Sequence, residues 1–99
     1  MDMRIISRAT LKRFWQKHPD SAAALQAWYA DVQHAAWHSP GDIKQVYRNA
    51  SFVAHNRVVF NIKGNTYRLV VAIHYESQIV FIRFVGTHEA YDKIDVTSI

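Results

Sequence analysis

The chain changes its hydrophobic period once, near residue 50. Before that point apolar residues recur every three or four positions, the spacing of helices with one buried face. Leu11, Phe14, Trp15 and His18 share such a face behind Ser7, a candidate N-cap, and Pro19 stops the run. Asp20 or Ser21 then caps a second helix whose stripe is Leu25, Trp28, Tyr29, Val32 and Ala36. Ser39-Pro40-Gly41-Asp42 reads as a cap, a first-turn proline and an acidic third position, opening a short helix with Ile43, Val46 and Tyr47 inward. Met3 to Ile6 is a candidate short strand ahead of these helices.

From Ser51 to Thr87 Val, Ile, Phe and Tyr dominate and turn residues punctuate, which predicts a sheet. A two-residue tip at Gly64-Asn65 sets Lys63 opposite Thr66, Asn61 opposite Arg68 and Val59 opposite Val70. The other face then carries Val58, Phe60, Ile62, Tyr67, Leu69, Val71 and Ile73, and is the core face. A second hairpin turns through Glu76-Ser77-Gln78. Val80, Ile82 and Phe84 are the more apolar set of the last strand and are expected to join the core. That puts Arg83 on the opposite face with Arg57, Asn61, Lys63 and Arg68, unless a bulge intervenes. The expected architecture is one α+β domain over residues 1–99, with N-terminal helices packed on one face of a small, mostly antiparallel β-sheet.

Composition narrows the function classes. With 49% apolar and 20% charged residues the chain has the makeup of a folded domain rather than a disordered one. The absence of cysteine excludes a disulfide framework, a thiolate nucleophile and cysteine-ligated zinc. The longest apolar run, Leu69 to Ile73, is too short to cross a bilayer, and Met1 to Arg8 lacks the apolar stretch of a secretion signal. A cytoplasmic protein with no membrane partner is expected. The net charge of +4 is modest, but residues 51–88 carry four basic side chains against the single acid Glu76. Acidic residues return in the tail at Glu89, Asp92 and Asp95.

A face with Lys63, Arg68 and Arg83 has the elements of a phosphate site, since arginine grips phosphate oxygens in pairs and lysine adds a point charge. Cations on sheet edges also discourage aggregation, and the pattern alone leaves both readings open. His88 and Tyr91, three apart on a terminal helical turn, project near each other at the end of the cationic strands. Histidine titrates near neutrality and exchanges protons, and tyrosine orients a phosphate or stacks on a base. The other histidines carry less. His34 and His38 lack the intervening glutamate of a zinc hydrolase helix, His18 adjoins a proline, and His55 and His74 qualify only through nearness to the sheet. No phosphate-binding glycine loop or serine nucleophile motif occurs.

Several runs resemble the HigB family of type II toxins: Phe60-Asn61-Ile62-Lys63-Gly64-Asn65-Thr66-Tyr67-Arg68-Leu69-Val70, Phe81-Ile82-Arg83-Phe84-Val85-Gly86-Thr87-His88, and Tyr91-Asp92-Lys93-Ile94. The opening Met3-Arg4-Ile5-Ile6-Ser7 and Ser39-Pro40-Gly41-Asp42 extend the likeness over nearly the whole chain. HigB proteins are similar to the RelE superfamily, which implies a RelE-like fold whose uncovered sheet face meets messenger RNA. The resemblance further implies a metal-independent endoribonuclease, without cofactor, that cuts mRNA in the decoding site of the 70S ribosome. A HigA-type helix-turn-helix antitoxin would neutralise it, and the pair would repress its own operon through operator DNA held by the antitoxin. On residues, the resemblance implies that Arg68 faces the scissile phosphate, that Lys63 is a basic position of the preceding strand, and that His88 stands where relatives have another cation. Tyr91 matches a following helical tyrosine. The expected catalytic set is therefore Arg68, His88, Lys63 and Tyr91, with Arg57, Asn61 and Arg83 binding RNA or phosphate. Two other classes remain as alternatives: an RNA- or ribosome-binding module that blocks translation by occupancy, and a protein-interaction domain with a basic docking face.

Overall fold

The computed structural model of the protein describes residues 2–99. Strand β1 (Arg4–Ile6) leads into helix α1 (Arg8–Lys17), a single 3-10 turn (Pro19–Ser21), α2 (Ala22–Gln33) and α3 (Pro40–Val46). Strands β2 (Ser51–Val53), β3 (Arg57–Ile62), β4 (Tyr67–His74) and β5 (Ile79–Thr87) follow, and one helical turn, α4 (His88–Tyr91), comes after β5. The sheet order is β1-β5-β4-β3-β2, antiparallel except where β1 lies parallel to β5. This is the expected α+β architecture. The helices cover one face of the sheet.

The first hairpin has the register that its tip dictates: Asn61 pairs with Arg68 and Val59 with Val70, while the Thr66 amide donates to the Lys63 carbonyl across the turn. Val58, Phe60, Ile62, Tyr67, Leu69, Val71 and Ile73 accordingly point at the helices and are buried there with Leu11, Leu25, Trp28, Val32, Trp37 and Ile43. Phe60 is the hub of this layer, stacked on Trp37 and met edge-on by Trp28 and Tyr47. Two helical expectations fail at the periphery. α2 ends at Gln33, so Ala36 lies past its last turn and is exposed. Val46, the last residue of α3, is 63% exposed, and Ile43 is the only residue of that helix that is buried.

The helical layer is fastened to the hairpin tip by one carboxylate. Asp20 accepts a 2.5 Å hydrogen bond from the Tyr67 hydroxyl and a 2.9 Å hydrogen bond from the Lys63 ammonium. Neither Asp20 nor the Ser21 side chain caps α2, since the Ser21 hydroxyl donates instead to the His18 carbonyl. The Tyr67 hydroxyl, and after it Lys63, hold the Asp20 carboxyl below its ordinary range. The same carboxylate pushes the Tyr67 hydroxyl above its own. The signs differ at the two ends of the pH scale. The Asp20 contribution is complete above the ordinary carboxyl value of 3.8 and is lost as pH falls through the lower folded value. The Tyr67 contribution is complete below 10.0 and is lost as pH rises through the raised one. Asp20→Asn should therefore be less stable than the parent chain near neutrality, with the gap closing in acid and again in strong base. Urea unfolding midpoints measured across that range check this, and parallel profiles for the two chains would contradict it.

Candidate functional site

The sheet face turned away from the helices is shaped by a mismatch in length. β5 lays nine residues against the eight of β4, and the surplus is absorbed between Val70 and Val71: Val70 pairs with Phe84, but Val71 pairs with Ile82. Arg83 is the bulged residue, and a bulge swaps the parity of everything beyond it. On the near side Val80 and Ile82 face the helices, as expected from their apolarity. Beyond the bulge it is Val85 that packs on the core. Phe84, expected in the core, belongs instead to the outer face with Arg68 and Gly86, the pair that sit opposite each other. Arg83 also serves the outer face, since its guanidinium lies 5.4 Å from the centre of the Phe81 ring, and Phe81 pairs with Ala72, of the same parity as Arg68.

Gly86 is required by Phe84. A Cβ on Gly86 would lie 2.5 Å from Cζ of the Phe84 ring, so that ring folds back along its own strand and lies over the glycine, beside Arg68. The chain then turns at Thr87, whose hydroxyl accepts from the Ala90 amide and caps α4. His88 and Tyr91 thereby occupy the same helical turn, as expected. The His88 amide donates to the Thr66 carbonyl, and the Arg68 guanidinium donates to that of Asn65. Consecutive carbonyls of the hairpin tip thus hold both groups in place. The guanidinium also lies 5.9 Å from the centre of the Tyr91 ring. His88 Nδ1 is 3.5 Å from an oxygen of Asp92, one turn on, so Nε2 is the ring nitrogen not facing that carboxylate.

The remaining expected residues divide. Asn61 pairs with Arg68 and is half-buried at the edge of the cluster. Lys63 does not join the outer face: it sits in the turn with φ +52°, outside strand parity, and its ammonium is held by Asp20 at the helix side of the tip. Arg57 does share the face, but its guanidinium donates to the carbonyls of Ile99 and His55. The segment after α4 thus runs from Tyr91, beside Arg68, to Ile99 at Arg57. Val59, Val70 and Ala72, on the face between these two anchor points, are buried although they face away from the helical core. The accessible part of the face is the β5 side: Arg68, Phe84, Arg83 and Phe81, with Gly86 buried beneath the Phe84 ring and His88 and Tyr91 at one end. Phe84 and Asp92 are the members that the sequence did not announce. The signals for them were the extra residue of β5 and the four-residue spacing from His88.

This cluster can bind and polarise an anion. Arg68 is a fixed cation, His88 is half-exposed and oriented by a carboxylate, and Tyr91 and Phe84 supply flat apolar surface.

Comparison with known proteins gives one family. A family model described as HigB toxin, the RelE-like toxic component of a toxin–antitoxin system, matches residues 21–94. The mRNA interferase toxin HigB of Escherichia coli strain K12 is 30% identical over 92 residues, covering 91% of this chain and 88% of that protein. The mRNA interferase HigB of Escherichia coli O157:H7 and that of Shigella flexneri align with the same identity and coverage.

The contact of Phe84 with Gly86 is testable. Gly86→Ala should destabilise the chain by about 1–3 kcal/mol through overpacking, and adding Phe84→Leu should recover most of that loss. Urea denaturation of the two single variants and the double variant gives the coupling. Additive effects would show that the ring does not occupy the space over Gly86.

Proposed function

Since the chain belongs to the HigB toxin family of RelE-like toxic components of toxin–antitoxin systems, we propose that it is an endoribonuclease that cuts messenger RNA on the outer sheet face around Arg68. The observation that carries this is the convergence of Arg68, His88 and Tyr91 on the tip of the first hairpin, at the end of the outer face. A single strand of RNA fits such a surface, with its phosphate on the guanidinium and its bases on the flat side chains.

In the reaction we propose, the ribose 2′-oxygen attacks the adjacent phosphorus and the bond from phosphorus to the 5′-oxygen breaks. The products are a 2′,3′-cyclic phosphate and a free 5′-hydroxyl. Arg68 bears the charge that builds on the non-bridging oxygens. His88 exchanges a proton through Nε2, either taking it from the 2′-hydroxyl or giving it to the departing 5′-oxygen, with Asp92 fixing the ring. Tyr91, its ring against Arg68, positions the nucleotide. Asn61 flanks the phosphate beside Arg68, and Arg83 lies further along the same face, beyond that nucleotide. The phosphate charge is met by Arg68, and the step uses no metal. Lys63 and Arg57 take part only after exchanging Asp20 and the Ile99 carbonyl for RNA. In the cell the reading places the chain on messages in the ribosomal decoding site, with a HigA-type antitoxin to neutralise it. The family supports the antitoxin and the mRNA in general terms, and these finer assignments are our own.

His88→Ala should lower the cleavage rate by about 10²–10⁴ and Arg68→Ala by about 10²–10³, with thermal midpoints near the parent's. Mapping 5′-hydroxyl RNA ends in cells after induction checks this. New ends that need both residues are the expected result. Growth arrest without new ends would mean occupancy rather than cutting, and would overturn the proposal.

A further inference from the structure

Further down the same face, away from Arg68, a second set of flat and cationic side chains is assembled. The Arg83 guanidinium lies over Phe81, and the His74 ring meets Phe81 at 71° with centroids 5.4 Å apart. Phe81 faces Ala72 across β4 and Ile6 across β1, so it points away from the helices and outside the main core. Arg4, opposite Ile79, brings another cation to this end of the face. Arg83, His74 and Arg4 are exposed, and among the described residues none of the three forms an ion pair. A guanidinium backed by an aromatic ring and open on its outer side is a stacking surface for another planar group, and the charges around it favour an anionic ligand.

The bulge joins this set to the site above it. Without the extra residue, Arg83 and Phe84 would fall on opposite faces; with it, Phe81, Arg83 and Phe84 are displayed in succession along one side of β5. An aromatic, a cation and a second aromatic in line form a track for a single nucleic-acid strand.

We propose that Phe81, Arg83 and His74 form a second nucleotide subsite, in which a base of single-stranded RNA stacks on the Arg83 guanidinium with Phe81 behind it. This rests on the ribonuclease reading above. Phe81 lies opposite Ala72, four positions along β4 from Arg68, roughly 13 Å at the strand rise of about 3.3 Å per residue. A stacked nucleotide step is about 3.4 Å. A dinucleotide on Arg68 therefore cannot reach the subsite, whereas a hexanucleotide can.

The test uses 2′-O-methyl oligoadenylates of two and six nucleotides, which the full chain can bind but cannot cut because the nucleophile is capped. The parent chain should prefer the hexamer. Phe81→Leu, which keeps apolar volume but not the ring, and Arg83→Lys, which keeps charge but not the plane, should each cost the hexamer about tenfold in affinity. The dinucleotide should bind both variants as it binds the parent. Arg83→Lys should also leave the salt dependence of hexamer binding unchanged, because the number of charges is kept. Should Phe81→Leu fail to fold, Arg83→Lys carries the test alone. Hexamer affinity unchanged in a folded variant would overturn the subsite and leave the ribonuclease reading standing. If the parent chain bound neither oligonucleotide, the subsite would fall, and the ribonuclease reading would be decided by the mapping of 5′-hydroxyl ends in cells.

Discussion

β4 and β5 differ in length by one residue, and the outer face of this protein depends on how that difference is absorbed. Placing the surplus at Arg83 lets Val80 and Ile82 face the helices before the bulge and Val85 after it, so the core keeps its apolar lining. The same swap of parity turns Phe84 and Gly86 outward beside Arg68 and displays Arg83 with them. It also sets the exit of β5 so that Thr87 can cap α4, which puts His88 and Tyr91 against the first hairpin. A regular ladder would have kept the strand and buried half of these side chains among the helices.

Around that ladder two contacts decide which cations are free. Asp20 takes Lys63 and the Tyr67 hydroxyl, fastening the helical layer to the hairpin tip. The carbonyl of Ile99 takes Arg57 and ties the C-terminal segment to β3. Arg68 and Arg83 are left to the accessible face. Net charge would not have located them. Residues 4–17 alone hold Arg4, Arg8, Lys12, Arg13 and Lys17 with no acid among them, more than the whole excess of +4, so the rest of the chain has slightly more acids than bases. α1 carries the greater charge, while the sheet face carries the arrangement suited to the chemistry.

Much of this was legible beforehand. Gly64-Asn65 flanked by alternating apolar positions fixed the first register to the residue, and with it the core face and the opposition of Asn61 and Arg68. Thr87-His88 after the last strand foretold the turn that holds Tyr91. Phe84 was misplaced because β5 is apolar at both parities past Arg83, so periodicity there cannot distinguish a regular strand from a bulged one. Lys63 was misplaced because a residue with positive φ in a turn escapes strand parity. Arg57 was placed on the correct face, but its partner is 42 residues away, and spacing along the chain does not reveal such a contact.

That RNA lies on the bulged face is tested most directly by photo-crosslinking a 2′-O-methyl RNA carrying 4-thiouridine to the purified chain and identifying the modified peptides. Adducts in Phe81–Gly86 and at Tyr91, with the helical layer unlabelled, are expected. Adducts concentrated on Lys12, Arg13 and Lys17 of α1 would contradict it, and would mean that RNA follows the charge rather than the face built around Arg83.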